Sequence, residues 1–256
     1  MWTNEARPEL ERRSTGEVLV TRTIKTSGIG EGSVDEMAKP LYGTPGVGIG
    51  TYARADGVHL RIGAKAATRE EAWSLIRPVE AEMDRIFGPA IWGRDDDTFE
   101  GGIADMMIAK RTTLATMESC TGGLLASTLT DVDGAGTYFQ VGLVTYQTQE
   151  KINAGVPAEI IEQYGVYSAE TAQAMAETVK RRFGTDYGCG ITGVAGSEPM
   201  EGVTPGTVFI AVVGPSGEVQ ATTVTVAQGR AAVKRRAVTT ALLMLRRALV
   251  ANATAS

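Results

Sequence analysis

The sequence predicts an α/β protein in which a small α+β domain precedes a three-layer α/β/α domain with a mixed sheet. From about residue 103 onward, strand-like and helix-like segments alternate, which is typical of layered α/β folds. The region before it has the order β-α-β-β-α, and the acidic, glycine-flanked stretch GRDDDTFEGG separates the two. A chain of 256 residues with 43% hydrophobic content can bury a sizeable core. The predicted organisation is a polar arm (1–16), a small α+β domain (17–92), a linker (93–102), a large α/β domain (103–250) and a tail (251–256).

The predicted elements of the small domain follow from its turn signals. EVLVTRTIKT (17–26) has a strand pattern, and a glycine turn then leads to a short helix around SVDEMAKPL. Two alternating runs joined at Ala55-Asp56-Gly57 predict a hairpin. The capping box in TREE starts a helix at Thr68 that runs to about Phe87, where glycine and proline end it. PAIWG is a candidate last strand.

The large domain is predicted from its alternating periodicity. Its last helix has apolar positions at three- and four-residue spacing with basic residues opposite, so we expect it to pack on the sheet. The predicted strands are 113–116, 141–145, 187–191, 206–213 and 218–226, and the predicted helices are 122–130, 148–154, 168–183 and 229–250.

Composition restricts the functional classes. A net charge of −5 argues against nucleic-acid binding through bulk positive charge. Two cysteines without paired spacing, Cys120 and Cys189, favour neither a disulfide framework nor a zinc site. The N-terminus lacks the apolar core of a signal peptide, and no apolar run approaches the roughly 20 residues that span a bilayer. We therefore expect a cytoplasmic protein with no membrane partner, metal or cofactor.

The stretch MESCTGGLLA (117–126) lies where a predicted strand meets a predicted helix. Such junctions hold nucleophiles and anions in α/β proteins, although Ser119 or Thr121 could equally be a helix N-cap. His59 is the only histidine, which argues against a serine–histidine triad. A lysine of lowered pKa can replace histidine as the base. Lys151 follows the next strand, five residues after Tyr146, although such a pair is more often a surface feature.

Three further polar or glycine-rich loops accompany that junction: TYQTQEK (145–151), ITGVAGSEP (191–199) and VTPGT (203–207). Ligands of open α/β sheets sit beyond the carboxyl ends of the strands, where these loops are expected. The small residues of YGCG, before ITGVAG, are expected to let backbone approach a ligand closely. The alternative is that these glycines only form turns. None of the loops matches a P-loop or the GxGxxG fingerprint.

In that order, MESCTGG, VTYQTQEK, ITGVAG and PGTVFIAV resemble the C-terminal domain of the CinA family, over roughly residues 103–250. LTDVDGAGTYF and GVYSAETAQAMAE resemble that family's LTD-x-x-G-x-S-x-x-F and G-x-V-S-x-x-x-A-x-x-MA segments. Residues 17–92 look like the KH-like middle domain of longer members. The 256 residues contain no match to those members' molybdopterin-binding-like domain.

The resemblance implies a nicotinamide-nucleotide amidase that converts nicotinamide mononucleotide into nicotinate mononucleotide and ammonia, in pyridine-nucleotide salvage. It makes Ser119 the nucleophile and Lys151 the base, with help from Tyr146, and it implies a homodimer. The 5′-phosphate of the substrate is expected at helix-start N–H groups. Arg230, in a stretch similar to the family's GDR, is a candidate phosphate or substrate contact. The other residues expected near substrate are Cys120, Thr121, Gly122, Gly123, Thr192, Gly193 and Gly196.

The sequence departs from the family at Met117, at Gly136 and in the loop SEPMEGVTPGT, where a proline–aspartate–glycine run is usual. These departures affect the rim of the pocket more than the serine and lysine. Two alternatives therefore stand beside the amidase: a non-catalytic nucleotide- or nucleic-acid-binding protein, and a serine amidase for another substrate. Nucleic acid is disfavoured because the glycine turn of residues 28–32 has no basic residue and contains Glu31. A structural or oligomerisation role fits that domain better.

Overall fold

The structure, a computed structural model, describes residues 16–54, 56–227 and 229–252. The chain divides into two compact units, residues 1–97 and 98–256, and its mixed α/β content confirms the predicted fold class. Most of the polar arm predicted at the N-terminus, and the end of the predicted tail, lie outside the described residues. No helix within the described ranges combines the length and apolar character needed to cross a bilayer.

The first unit is a four-stranded antiparallel sheet of order β2-β3-β1-β4 with two helices. The capping box that TREE predicts is present: the Thr68 hydroxyl accepts the Glu71 N–H, and the Glu71 carboxylate accepts the Thr68 N–H. Ile24, Leu60 and Met83 are fully buried in its core. The elements are β1 (Val18–Thr26), α1 (Glu31–Ala38), β2 (Val47–Arg54), β3 (Gly57–Ala66), α2 (Arg69–Phe87) and β4 (Ile91–Arg94).

The connection between the units is shorter than the linker expected over 93–102. Strand β4 continues to Arg94, and the next helix, α3 (Phe99–Lys110), begins after an N-cap at Thr98. The Asp97 carboxylate accepts the backbone N–H of Arg94 at 2.7 Å. Asp95 and Asp97, two of the acidic residues that suggested a solvated linker, therefore accept backbone hydrogen bonds within the first unit.

The second unit contains a five-stranded mixed sheet of order β6-β5-β7-β8-β9. Strand β5 pairs in parallel with β6 and β7, whereas β8 is antiparallel to both of its neighbours. The strands are β5 (Leu114–Glu118), β6 (Phe139–Val144), β7 (Tyr187–Gly193), β8 (Thr207–Val213) and β9 (Val219–Thr225), and the helices after α3 are α4 (Leu124–Thr130), α5 (Thr148–Asn153), α6 (Ala158–Tyr164), α7 (Ala169–Phe183) and α8 (Arg230–Ala251).

Helices cover both faces of this sheet, which gives the three predicted layers. Helix α7 packs on β5, β7 and β8, and α8 packs on β8 together with α3 and α4. Helix α6 was not predicted. Helix α4 begins two residues later than expected, because Gly122 and Gly123 adopt left-handed φ angles of 64° and 88°.

The small residues of β7 serve helix packing rather than ligand approach. A Cβ atom added at Gly190 would lie 2.1 Å from the carbonyl oxygen of Ala172, and one at Gly188 would lie 2.2 Å from that of Ala176. Both carbonyls belong to α7, and contacts this short exclude any side chain. The expectation that YGCG admits a ligand is therefore wrong, because α7 occupies that space.

Candidate active site

Ser119 lies directly after strand β5, at one edge of the mixed sheet. Because β5 is parallel to β6 and β7, the carboxyl ends of the three strands meet at that edge. The Ser119 N–H donates to the carbonyl of Ile191 on β7 at 2.9 Å, which fixes the residue just beyond β5. The Ser119 side chain is buried within this edge.

Lys151 reaches the same point from helix α5. Its Nζ atom lies 3.0 Å from Ser119 Oγ and 2.8 Å from the carbonyl oxygen of Thr145, and its side chain is fully buried. The Thr145 N–H in turn donates to the carbonyl of Glu118 at 2.8 Å. A short chain of hydrogen bonds therefore fixes the lysine relative to the serine.

The pKa values of Lys151 and Cys120 indicate why Ser119, and not the neighbouring cysteine, is the candidate nucleophile. Burial lowers the pKa of Lys151 to about 8, against opposing effects of Cys120 and Glu201. About a tenth of the lysine is then neutral at pH 7 and able to accept a proton. Burial raises the pKa of Cys120 to about 12, so its thiol stays protonated and weakly nucleophilic. The arrangement supports a serine nucleophile with a lysine base.

The start of α4 is occupied by Glu118, a fully buried carboxylate one residue before Ser119. Its two oxygens accept the backbone N–H groups of Leu125 at 3.0 Å and Ala126 at 2.8 Å. The sequence analysis expected the phosphate of the substrate at helix-start N–H groups without naming a helix. These two N–H groups of α4 already have a partner within the chain, so they are not free to bind it.

A cleft of about 350 Å³ opens beside Ser119. The sequence analysis identified five of its other lining residues: Cys120, Tyr146, Gly193, Gly196 and Arg230. It missed Tyr167, Val194, Ala195, Ser197, Glu198 and Met200. A signal for Tyr167 was present in GVYS, where the quoted family segment has valine. Val194, Ala195, Ser197 and Glu198 lie within the ITGVAGSEP loop that the sequence analysis singled out without naming them, and Met200 follows that loop.

The remaining predicted residues lie outside this lining or make other contacts. The Thr192 hydroxyl donates to the carbonyl of Val166 at 2.9 Å and thereby ties β7 to the loop before α7. Thr121, Gly122 and Gly123 form the turn behind Ser119. The Tyr146 hydroxyl accepts a hydrogen bond from Arg230 at 3.2 Å. Tyr146 is therefore hydrogen-bonded to Arg230, and both residues line the cleft that contains Ser119.

This geometry defines a class of protein: an α/β domain with a buried serine–lysine pair at the edge of a mixed sheet. Residues 96–249 match the family described as the CinA C-terminal domain, and residues 21–93 match the damage-inducible protein CinA KH domain. The chain therefore belongs to the CinA family, which confirms the resemblance found in the sequence. Within the described residues, no group of three or more His, Cys, Asp or Glu side chains is arranged to hold a metal ion.

Relatives support the same family over nearly the whole chain. A putative competence-damage inducible protein of Symbiobacterium thermophilum is 37% identical over 95% of this chain. A CinA-like protein of Frankia casuarinae is 38% identical over 97% of it. The chain spans 60% and 59% of the lengths of these two relatives.

Solved structures of CinA superfamily proteins match about three fifths of this chain. A CinA superfamily protein of Klebsiella pneumoniae is 30% identical, with a TM-score of 0.57, and the match covers 59% of this chain and 96% of that protein. A CinA superfamily protein of Escherichia coli is 32% identical, with a TM-score of 0.55, and the match covers 60% of this chain and 92% of that protein.

Proposed function

We propose that this chain hydrolyses the carboxamide of nicotinamide mononucleotide to nicotinate mononucleotide and ammonia. The observation that carries the proposal is the 3.0 Å contact between Lys151 Nζ and Ser119 Oγ inside a buried site. A buried lysine that pairs with a serine instead of a carboxylate is costly for the fold, which favours a chemical role.

In the first half of the reaction, neutral Lys151 takes the proton of Ser119 as Oγ attacks the carboxamide carbon. The tetrahedral intermediate collapses when the Lys151 ammonium returns that proton to the leaving nitrogen and ammonia departs. The nicotinoyl group is then held as an ester on Ser119. In the second half, Lys151 takes a proton from water as the water oxygen attacks the ester carbon. The bond between that carbon and Ser119 Oγ then breaks, Lys151 returns the proton to Oγ, and nicotinate mononucleotide leaves.

The negative charge of the tetrahedral oxygen needs nearby donors. In other strand–turn–helix sites, the N–H of the residue after the nucleophile fills this role, so we assign it to Cys120. The left-handed conformations of Gly122 and Gly123 shape the turn that holds this residue. Tyr146 and Tyr167 line the cleft and supply aromatic surface for the pyridine ring.

The proposal is tested by incubating the full chain with nicotinamide mononucleotide and measuring ammonia and nicotinate mononucleotide together. Both products should appear in equal amounts, and Ser119→Ala should abolish them. Ser127→Ala is the matched control, because Ser127 is an exposed serine of α4, eight positions after Ser119. Turnover that survives Ser119→Ala, or release of neither product by the native chain, would contradict the proposal.

A further inference from the structure

We infer that Lys234, together with Arg230, forms a phosphate-binding site beside the Ser119 turn. This inference rests on the proposed function for the identity of the phosphate, which is the 5′-phosphate of the mononucleotide. Two N–H groups at the start of α4 already donate to Glu118, so the cationic side chains near Ser119 are the remaining candidates for this contact.

Lys234 and Arg230 lie four residues apart in the first turns of α8 and therefore share one face of that helix. A Cβ atom added at Gly122 would lie 3.5 Å from Lys234 Nζ, which places the ammonium group against the turn that carries Ser119. A Cβ atom added at Gly196 would lie 3.5 Å from the Arg230 guanidinium, which places that group against the loop after β7. The two cationic side chains therefore reach the site from one helix, Lys234 at Gly122 and Arg230 at Gly196.

Electrostatics place Lys234 close to the reacting residues. The positive charges of Lys151 and Lys234 both act to lower the pKa of Cys120, against the larger opposing effect of burial. Neither Lys234 nor Arg230 forms an ion pair with a carboxylate of the described residues. Lys234 is half-buried, so its charge is partly desolvated without a fixed anion beside it.

Arg230 also joins two neighbouring clefts. It lines the cleft of Ser119 and an adjacent cleft of about 460 Å³ that includes Gly206, Val226 and Gly229. Its hydrogen bond to Tyr146 keeps the guanidinium at their shared wall. Lys234 lies outside the lining of both clefts, beside them at the Gly122 turn. A ligand with its amide at Ser119 would meet Arg230 in the cleft, and an anionic end that reaches past it toward the Gly122 turn would meet Lys234. A dianionic phosphate monoester is the ligand end that two cations suit best.

The test compares ligands that differ only in the phosphate. Binding of nicotinate mononucleotide and nicotinate riboside to the full chain is measured by calorimetry for the native protein, Lys234→Met, Lys234→Arg and Arg230→Met. Each Met variant should weaken mononucleotide binding about 10- to 100-fold, the loss of one charge-assisted contact, and leave riboside binding unchanged. Lys234→Arg should retain most of the affinity. Arg247→Met is the control, because it removes a charge from the exposed far end of the same helix, 13 residues beyond Lys234.

Mononucleotide binding that is unchanged in Lys234→Met, or riboside binding that falls equally, would overturn the phosphate site. These failures are distinct from failure of the proposed function. If the native chain hydrolyses nicotinamide mononucleotide but Lys234→Met leaves mononucleotide binding unchanged, the proposed amidase activity stands and the phosphate site is refuted. If the native chain shows no hydrolysis but binds ribose 5-phosphate in a manner that depends on Lys234, the phosphate site stands and the proposed amidase activity is refuted.

Discussion

The two units of the chain place polar side chains in different environments. Among the described residues, the first unit buries one polar side chain, that of Thr26, and pairs charges at its surface, as Arg94 does with Glu80 and Asp84. The second unit buries eleven polar or charged side chains. These are Thr116, Glu118, Ser119, Thr121, Thr145, Lys151, Ser168, Thr171, Thr178, Thr185 and Thr192.

This difference shows that the free-energy cost of burying polar side chains falls mainly on the second unit. Buried polar groups are costly unless hydrogen-bonded, and the hydroxyls of Thr116, Thr121 and Thr145 have no partner among the described residues. Thr121 and Thr145 flank the Ser119–Lys151 pair, so two of these unsatisfied hydroxyls lie at the candidate active site. In contrast, the surface pairs of the first unit contribute little to stability and require no functional explanation.

The largest effect is expected from the pair itself. Ser119→Ala removes the nucleophile, and Lys151→Arg keeps a charge that cannot become a neutral base. Each should lower kcat for nicotinamide mononucleotide, the lysine variant by about 10²–10⁴-fold, with a folded protein that still binds substrate. The double variant should be little worse than either single one, because the two residues act as a unit. Steady-state kinetics would refute the pairing if Lys151→Arg kept near-normal kcat, or if the two losses multiplied.

The second-largest effect is expected on stability, where replacement of a buried carboxylate, that of Glu118, is compared with replacement of an exposed one, that of Glu36. Glu118→Gln replaces an oxygen that accepts an N–H of α4 by an NH₂ group, so it should lower the free energy of unfolding by about 2–3 kcal/mol. Glu36→Gln removes an exposed partner of Lys39 and should change it by less than about 0.5 kcal/mol. Urea denaturation of both variants measures the contrast. Similar losses in the two units would show that burial of Glu118 does not make the difference.

The pH profile depends on the same burial. Lys151 must be neutral to accept a proton, and its pKa is about 8, so kcat/KM should rise with pH toward a plateau above that value. Well below pH 8 it should fall about tenfold per pH unit, because the neutral fraction falls by that factor. Rates from pH 6 to pH 10 provide the test. A profile that is flat between pH 6 and pH 8 would exclude Lys151 as the base.

Sequence patterns located much of this site because the relevant signals are local. The strand before Ser119, the two glycines after it and the polar loop before Lys151 are readable along the chain, and parallel pairing of β5 and β6 brings the two side chains together. The paired roles of Ser119 and Lys151 remain predictions.

Tertiary contacts decided the features that the sequence did not reveal. The Glu118 side chain is directed toward the start of α4, where it accepts two backbone N–H groups, and nothing within MESCTGG specifies that direction. Likewise, the glycines of YGCG are compatible with ligand approach or helix packing, and only the position of α7 decides between them. Arg230 is 84 residues from Tyr146, so their hydrogen bond has no local signal.

Replacement of Lys151 by methionine is expected to increase the free energy of unfolding, which is a smaller effect than those above and opposite in sign to the loss at Glu118. A lysine whose pKa is lowered on folding binds fewer protons in the folded chain, so stability rises as the pH increases from about 8 toward 10.5. Lys151→Met should therefore raise the free energy of unfolding by about 0.5–2 kcal/mol at pH 7, and by less at pH 10, while activity is lost. Thermal unfolding at the two pH values measures this. A gain that grows with pH would contradict the assigned direction of the pKa shift.

The smallest expected effect concerns the first unit, for which we expect no measurable nucleic-acid binding. The first turn of α1 presents Glu31 beside Asp35 in a cleft next to the glycine turn, where a KH-type site needs to accept a phosphate backbone. Those carboxylates repel phosphate, and the net charge of −5 offers no compensating attraction. Fluorescence anisotropy of labelled single-stranded RNA and DNA, titrated with the full chain at about 150 mM salt, should show no binding at micromolar concentrations. Glu31→Lys, which reverses the charge at this turn, is the matched variant and should bind more tightly than the native chain. Micromolar binding by the native chain that Glu31→Lys leaves unchanged would show that this unit uses another surface, and the contrast between a structural first unit and a chemical second unit would no longer hold.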